Sequence, residues 1–419
     1  MINLLSTTSR VEAPFIILTI GGYTFGRYNK TTANVVDDEG IKQKYIETFP
    51  NVVNSLEVDK VNGTVNTYTI GLVYAITAGS DPNKIDKVFS YISKDRKIKI
   101  SYGDYSTPQF IYKEEEALIT KVTSNVNVSS STISYTITAV SSAVLTTSGV
   151  YSFPKRFDKP SNVIKELLYN NSYGLLDVFY GMRDKQLVQQ LGLIMSDDRS
   201  VLIEAKRSIN VFDYLDYLVS CMTCIGDPNN SLVDQTKYIF GVFDETTGRL
   251  PGPYFSITRV EKSSNNLDNN LIYEIDVGYP TANIVTNFTI QSNDGYTLLY
   301  DYYKEKERDP FSYRINDSGD LESTYSPNLI KNDLYRATQS DINWWSKVTQ
   351  HPISAVITLK GLLRPAVLMS YVRLNVYFYG RKHDSSGLYI ITKQTDNVSV
   401  SGFRTTLSLT RIEGDSDYQ

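Results

Sequence analysis

Alternation of apolar and polar residues is the main pattern in this chain, and it predicts strands at both ends. Near the beginning, strand-like runs cover Phe15 to Ile20, Ser55 to Val61 and Thr64 to Ile76. The last two flank Asn62-Gly63, a dipeptide typical of a tight type I′ hairpin. From Ile353 to Ile412, strand again follows strand. The pattern therefore predicts an antiparallel β module at each end.

The first module also contains one predicted helix, which starts at Asp81-Pro82 and has an apolar stripe that runs to Ile92. From about residue 151 to 275 the pattern changes to mixed α and β. Asp158 to Tyr169 has the spacing of a second helix, and Asn210 is placed to cap a third. Three strand-like runs follow, at Lys237 to Phe243, Tyr254 to Val260 and Leu271 to Val277. Helices followed by strands favour an α+β insert with its own core.

An internal repeat relates the two ends. The octapeptide at 119–126 recurs at 391–398 with six of eight positions identical. The positions that define the repeat are Ile119, Lys121, Asn125, Ile391, Lys393 and Asn397. Each copy follows a strand-like run ending in Tyr-Gly and precedes an alternating run, so a constant offset would place Tyr135 on Leu407. The pattern favours internal duplication of one module; the alternative is two independent hairpins of similar composition.

These patterns define the expected architecture. The fold class is mainly β with an α+β insert: two related antiparallel β-barrel modules from internal duplication, plus an α+β domain. Residues 1–150 form the first module, 151–275 the insert and 276–419 the second module. A polar excursion at about 301–349 interrupts the second module. It contains both tryptophans, Trp344 and Trp345, which we expect at a subunit or partner contact because large aromatics are seldom left in water.

Composition limits the possible functions. The 419 residues carry a net charge of −4, which gives no sign of affinity for a phosphate backbone. No signal peptide is visible, and no apolar run approaches the roughly 20 residues of a membrane span. Two cysteines do not make a disulfide framework. We expect a soluble protein, made in a reducing cytoplasm, without membrane insertion.

Candidate catalytic chemistry is sparse. Only two histidines are present, His351 and His383, and we expect neither to be catalytic. Cys221 and Cys224 have the spacing of half a zinc site or a redox pair, but zinc needs four ligands, so two reduced, packed cysteines are expected. Glu114-Glu-Glu116 could supply paired carboxylates, although a solvated loop fits better. The sequence therefore predicts no catalytic site, no metal and no cofactor, and a protein that is not an enzyme.

The order of these elements resembles a known family. The Asn-Gly hairpin, the Asp-Pro helix start, Ser101-Tyr-Gly103 and Ile119-Thr-Lys-Val122 are similar to the first barrel of phage baseplate central hub proteins. The ending from Ser386 to Arg411 resembles that family's second barrel more closely. The resemblance covers nearly the whole chain, and the excursion at about 301–349 departs from it.

The resemblance implies a structural role in contractile phage tails and related injection machines. Such hubs are homotrimers whose two barrels per subunit form a ring with pseudo-six-fold symmetry, which adapts a hexameric tail tube to a trimeric central spike. Implied partners are the tube protein and the spike protein, with the tape measure protein and other baseplate subunits beside them, and DNA in transient passage through the channel. The implied location is the tail baseplate of the virion, assembled in the bacterial host cytoplasm.

Two other functions stay open at this point. One is a receptor-binding tail protein whose exposed Tyr, Trp and Asn side chains contact host glycans. The other is a hub that carries a peptidoglycan-cleaving insert.

Overall fold

The computed structural model describes most of the two ends and the insert. The described residues are 14–21, 23–27, 52–77, 89–104, 114–195, 198, 200–222, 237–244, 252–260, 271–278, 285–292, 311–315, 321–325, 353–360, 368–383, 385–399 and 402–414. Most of the expected helix from Asp81 lies outside them, but Phe89 and Ile92 are buried in the first module's core.

Strands dominate the described residues, and period-two alternation of apolar side chains accounts for most of them. The strands of the first module and the insert are β1 (Pro14–Ile20), β2 (Tyr23–Arg27), β3 (Val53–Val61), β4 (Thr67–Ala75), β5 (Lys97–Asp104), β6 (Glu114–Asn127), β7 (Thr132–Ser141), β8 (Tyr151–Phe153), β9 (Arg156–Asp158), β10 (Val201–Ile203), β11 (Lys206–Ile209), β12 (Lys237–Phe243) and β13 (Tyr254–Val260). Those that follow are β14 (Leu271–Val277), β15 (Val285–Ser292), β16 (Phe311–Ile315), β17 (Leu321–Tyr325), β18 (Ile353–Lys360), β19 (Tyr371–Phe378), β20 (Arg381–Lys382), β21 (Gly387–Ser399) and β22 (Gly402–Gly414).

One large sheet joins both ends of the chain. Its main path runs β15-β18-β22-β21-β3-β4-β7-β6-β5-β1-β2, and β14, β19 and β20 attach beside β21. The pairing of β21 with β3 connects the second module to the first. At the far end of the path β1 and β2 contact β3, so the first module's part of the sheet curls back on itself. The expectation of a mainly β chain with an α+β insert is confirmed.

The insert packs its helices around a separate apolar core. The helices are α1 (Pro160–Tyr169), α2 (Leu175–Val178), α3 (Lys185–Gln190) and α4 (Val211–Cys221), with short 3-10 turns at Ser142–Thr147, Asn171–Tyr173 and Tyr180–Met182. The predicted cap is present, because the Asn210 side chain accepts a hydrogen bond from the Asp213 N–H over 2.8 Å. None of the described helices is long and apolar enough to cross a membrane.

Strands β12, β13 and β14 contact the second module, and Val260 of β13 belongs to that module's core. On β12, Phe240 and Val242 point into the insert core, whereas Ile239 packs into the second module's core. β14, most of which falls within the expected insert, pairs in parallel with β19 and belongs to the large sheet. This pairing joins residues about 100 positions apart, which local periodicity cannot reveal.

Gly278 ends β14 in a left-handed conformation, with φ of +82°, and a Cβ there would lie 2.2 Å from the Tyr377 carbonyl oxygen. Gly278→Ala should therefore lower the Tm, because backbone strain of about 1 kcal/mol adds to a clash with backbone atoms. Gly174→Ala is the matched control, since Gly174 has φ of +62° and nothing within 4 Å of the place that a Cβ would take. Equal Tm losses in thermal unfolding would contradict the close β14–β19 approach.

Candidate functional site: the junction of the three segments

Lys60 lies in a buried polar cluster inside the first module. Its ammonium group forms an ion pair with Glu115, whose side chain is fully buried. The Tyr68 hydroxyl donates a hydrogen bond to the other Glu115 carboxylate oxygen over 2.7 Å. These side chains come from β3, β6 and β4, at positions that alternation turns inward. Such pairing is required because an isolated charge in the interior is strongly unfavourable.

Asp244 brings the insert into this cluster. It follows β12 and is 1% exposed. Its carboxylate accepts hydrogen bonds from the Asn66 side-chain amide over 2.8 Å and from the Ser141 hydroxyl. The Tyr68 hydroxyl lies 3.0 Å from the same carboxylate. One buried aspartate thus ties the insert to three strands or turns of the first module.

Asp396 brings in the second module. This residue of β21 accepts hydrogen bonds from the Thr405 hydroxyl and the Gln394 amide, both over 2.7 Å, and from the Tyr102 hydroxyl over 3.1 Å. Lys60 is close enough to lower the pKa of Asp396, against a larger upward effect of burial. All three segments therefore meet around Lys60. We call this set the junction cluster: Lys60, Asn66, Tyr68, Tyr102, Glu115, Ser141, Asp244, Gln394, Asp396 and Thr405.

The junction cluster holds more acidic groups than basic ones. Burial raises the pKa of Asp244 to about 6, although hydrogen bonds from Ser141 and Asn66 oppose the shift. Burial also raises the pKa of Tyr68, and the neighbouring Asp244 and Glu115 raise it further. Tyr68 has one hydroxyl proton and two carboxylate neighbours, so protonation of Asp244 relieves a shortage of donors. The arrangement is suited to holding the first module, the insert and the second module together.

The solvated loop expected at Glu114-Glu-Glu116 is wrong. These residues begin β6, where Glu115 faces the junction cluster and Glu116 faces outward to an ion pair with Lys97 at 2.6 Å. Strand alternation separates the two side chains onto opposite faces, so they do not form a pair of catalytic carboxylates. The partner of Glu115 lies 55 positions away in the sequence, which is why no local pattern indicates it.

The Asn62-Gly63 turn has a different role from the tight hairpin expected. The last β3–β4 pair is Asp59 with Thr67, so the connection is longer than two residues, and only Gly63 of the dipeptide has a positive φ. The backbone N–H of Asn62 donates to the Thr392 carbonyl over 3.1 Å, and that of Gly63 donates to the Phe240 carbonyl over 2.9 Å. The turn therefore binds the second module and the insert directly.

Two of the repeat-defining residues occupy matching positions. Ile119 in β6 and Ile391 in β21 are both fully buried, and each immediately precedes a β-bulge. In the first, the Thr120 hydroxyl donates to the Thr138 carbonyl over 3.2 Å. In the second, the Thr392 hydroxyl donates to the Ser408 carbonyl over 3.1 Å. The two hairpins thus share a bulge and its side-chain hydrogen bond.

The remaining repeat-defining residues differ in their surroundings. Lys393 forms an ion pair with Asp59 over 3.5 Å, and Asn397 lies opposite Glu57 in the β21–β3 ladder. Lys121 and Asn125 are exposed on β6. Among the described strands, this part of β6 pairs only with β7.

The expected match of Tyr135 with Leu407 is shifted by two residues. Lys121 pairs with Thr138, and Lys393 pairs with Ser408, so Ile137 takes the position of Leu407. Four residues, 128–131, connect β6 to β7, whereas two, 400–401, connect β21 to β22. A shift of two leaves the facing of every side chain unchanged.

Other candidates from the sequence contribute no site among the described residues. Trp344, Trp345, His351 and Cys224 lie outside those residues. Cys221 is buried at the end of α4, where it packs within the insert core. His383 is exposed and contacts Ser385, with its Nδ1 2.7 Å from the hydroxyl. No group of three potential metal ligands occurs within the described part of the chain.

Comparison with solved structures supports the architecture, although no protein-family model and no curated protein matches the sequence. A chain of the lidded Francisella PdpA–VgrG complex matches with a TM-score of 0.50 and 9% identity, covering 97% of this chain and 54% of that one. The tail protein from Neisseria meningitidis matches with a TM-score of 0.49 and 8% identity, covering 95% and 96%. The 43 kDa tail protein of prophage MuSo2 from Shewanella oneidensis gives 0.48 and 9%, covering 95% and 98%.

At these identities the likeness concerns the fold alone. The present chain spans about half the length of the matched Francisella chain and nearly the full length of the two tail proteins. The resemblance drawn from the sequence is therefore confirmed at the level of the fold.

Replacing Lys60 tests the junction cluster. Lys60→Met should cost about 3–5 kcal/mol, because Glu115 would stay buried without its counter-ion. Lys60→Met combined with Glu115→Gln should recover part of that loss, since Gln can still accept from Tyr68. Lys97→Met is the matched control: Lys97 is 67% exposed, and its ion pair with Glu116 should contribute less than about 1 kcal/mol. Similar Tm losses for Lys60→Met and Lys97→Met would contradict the assignment.

Asp244→Asn should change the pH dependence of stability. A carboxyl group whose folded pKa is raised from 3.8 to about 6 binds its proton more tightly in the folded state. Its contribution to stability is therefore lost as pH rises through this window, by about 3 kcal/mol in total. The variant lacks this loss, so its Tm relative to the unsubstituted chain should rise between about pH 4 and about pH 7. A difference in Tm that is constant with pH would count against the raised pKa.

Proposed function

We propose that this chain is a structural hub of a phage tail baseplate or a related contractile injection machine. Three copies form a ring with pseudo-six-fold symmetry that adapts a hexameric tail tube to a trimeric central spike and leaves a channel for DNA. The observation that carries this proposal is the β21–β3 ladder, which joins the two end modules edge to edge in one sheet. A second joint of this kind between copies would extend the sheet around a ring, provided that the rotation between neighbouring copies closes.

Partners follow from this placement. They are two further copies of the chain, the tail tube protein and the central spike protein, with the tape measure protein and other baseplate subunits beside them. The proposed location is the tail baseplate of the virion, assembled in the host cytoplasm. Support comes from the fold shared with a chain of the PdpA–VgrG complex. That the segment at about 301–349, with Trp344 and Trp345, contacts one of these partners stays a prediction.

The hub needs no catalytic group, and we infer that the chain is not an enzyme. Glu115 forms a buried ion pair with Lys60 in the junction cluster. The insert has a surface cavity of about 380 Å³ whose lining includes Lys165, Tyr169 and Lys185 but none of the described acidic residues. Cleavage of peptidoglycan by paired carboxylates therefore has no support there. Purified protein should not clear a suspension of bacterial cell walls in a turbidity assay, whereas clearance would favour the alternative of a cleaving insert.

Mass in solution and electron microscopy test the ring. At the highest attainable concentration, or with the spike protein added, the chain should give particles of three copies with a central channel. The channel should be neutral to acidic, since each Lys or Arg that met a phosphate would add salt-dependent affinity and hold the DNA back. Assembled rings should therefore not retard double-stranded DNA in a gel at physiological salt. A monomer under all these conditions, or clear retardation, would contradict the proposal.

A further inference from the structure

A second β-bulge extends the match between the two modules. β3 pairs with β4 and has a bulge between Val53 and Ser55. β15 pairs with β18 and has a bulge between Val285 and Asn287. Both bulged strands hold the same place in the sheet path, since β3-β4-β7-β6 parallels β15-β18-β22-β21. Aligning the bulges places Glu57 at Thr289, and both are exposed.

One edge in this scheme is occupied, whereas its equivalent has no partner among the described strands. Lys393 to Ser399 of β21 pair with Val61 to Ser55 of β3. The corresponding residues of β6 are Lys121 to Asn127, and no described strand pairs with them on that side. The counterpart of β3 is β15, and β18 is its one described partner. A single chain therefore contains one completed joint and the two halves of another.

Apolar residues at the hairpin tips show the same difference. Val398 is fully buried within the first module's core, and Phe403 of the same hairpin packs against that core. Their counterparts on the β6–β7 hairpin are Val126, which is 60% exposed, and Ile133, which is partly buried. The tip that is covered in one module is thus uncovered in the other.

The edge of β15 lacks the features that keep strand edges apart. Proteins commonly protect exposed edges with Lys, Pro or inward charges. The residues of β15, Val-Thr-Asn-Phe-Thr-Ile-Gln-Ser, include none of these. Phe288 of β15 packs against the second module's core. This matches Leu56, the corresponding residue of β3, which is buried in the first module's core. An edge of this kind is suited to accept a strand in β-augmentation.

We propose that β6 of one copy pairs antiparallel with β15 of the next copy, with Asn125 opposite Thr289. This joint rests on the proposed ring and specifies how its subunits bind one another. It reproduces the register of Asn397 opposite Glu57 within a chain. The Val126 tip then inserts against the second module of the neighbour, as Val398 does against the first module of its own chain. Because β6 meets β15 and not another β6, the contact is head to tail, which is the kind of contact that forms a ring of three when its rotation closes.

Disulfide trapping tests the register. In the double variant Asn125→Cys/Thr289→Cys, oxidation should link separate chains into species of two and three chains on a denaturing gel. Both positions are exposed, so neither substitution disturbs a core. Glu57→Cys/Asn397→Cys is the matched positive control and should link within one chain. Asn125→Cys/Gln291→Cys is the off-register control and should link much less, because a shift of two residues moves the Cβ atoms to about 7–8 Å apart.

Single variants test the head-to-tail contact. Asn125→Cys alone and Thr289→Cys alone should remain unlinked, and a mixture of the two should give linked pairs. The unsubstituted chain, which has only Cys221 and Cys224, is run beside them. Without any substitution, hydrogen exchange should slow on assembly at Lys121 to Asn127 and at Val285 to Ser292.

The outcomes separate the joint from the proposed function. The joint alone would be overturned if three-copy particles form and the intrachain control links, but the Asn125→Cys/Thr289→Cys variant does not link and hydrogen exchange does not slow. The hub proposal would still stand in that case. Self-linking of Asn125→Cys alone within three-copy particles would also overturn the joint, since there it requires two β6 strands in contact. A chain that stays monomeric and unlinked would overturn both.

Discussion

Burial of the Lys60 ammonium group is the interaction on which the arrangement of the three segments depends. An ammonium ion loses its hydration inside a protein, so it needs carboxylates and further hydrogen bonds close by. Glu115, Asp244 and Asp396 provide them from the first module, the insert and the second module. Without the first module, Asp244 would lose its hydrogen bonds from Asn66, Tyr68 and Ser141, and Asp396 would lose the one from Tyr102. The cluster therefore helps to fix the relative position of the segments, because its hydrogen bonds require particular distances and angles.

The two modules share a scaffold but differ in their interiors. The bulges after Ile119 and Ile391, and those in β3 and β15, occur at matching positions in the sheet path. Yet the position of Lys60 in β3 corresponds to Ser292 in β15, so the two modules carry different residues at this place in the scaffold. Duplication of one module stays a prediction, with which the matching bulges agree. A scaffold held by backbone geometry can accept such a change, because bulges and register do not depend on one core side chain.

Local patterns predicted much of the fold and little of the site. The helix at Pro160–Tyr169, the Asn210 cap and the β12 and β13 strands follow from periodicity and capping chemistry, which are local. Lys60 had a visible signal, since it continues the inward alternation of Leu56 and Val58. Its partners had none, because they lie 55 or more positions away. Long-range pairings, such as β14 with β19, depend on tertiary contacts that one strand's composition does not encode.

The burial of Val398 within the first module's core has a consequence for biosynthesis. The strands of the first module leave the ribosome long before residue 398 is synthesised. During that time their core lacks the side chain of Val398. Domains usually fold as units during synthesis, beginning at the N-terminus. Here the first module obtains the apolar side chain of Val398, and Lys60 the nearby carboxylate of Asp396, from β21, which is synthesised much later than β3 to β7. The first module can therefore complete its interior only after β21 has been synthesised.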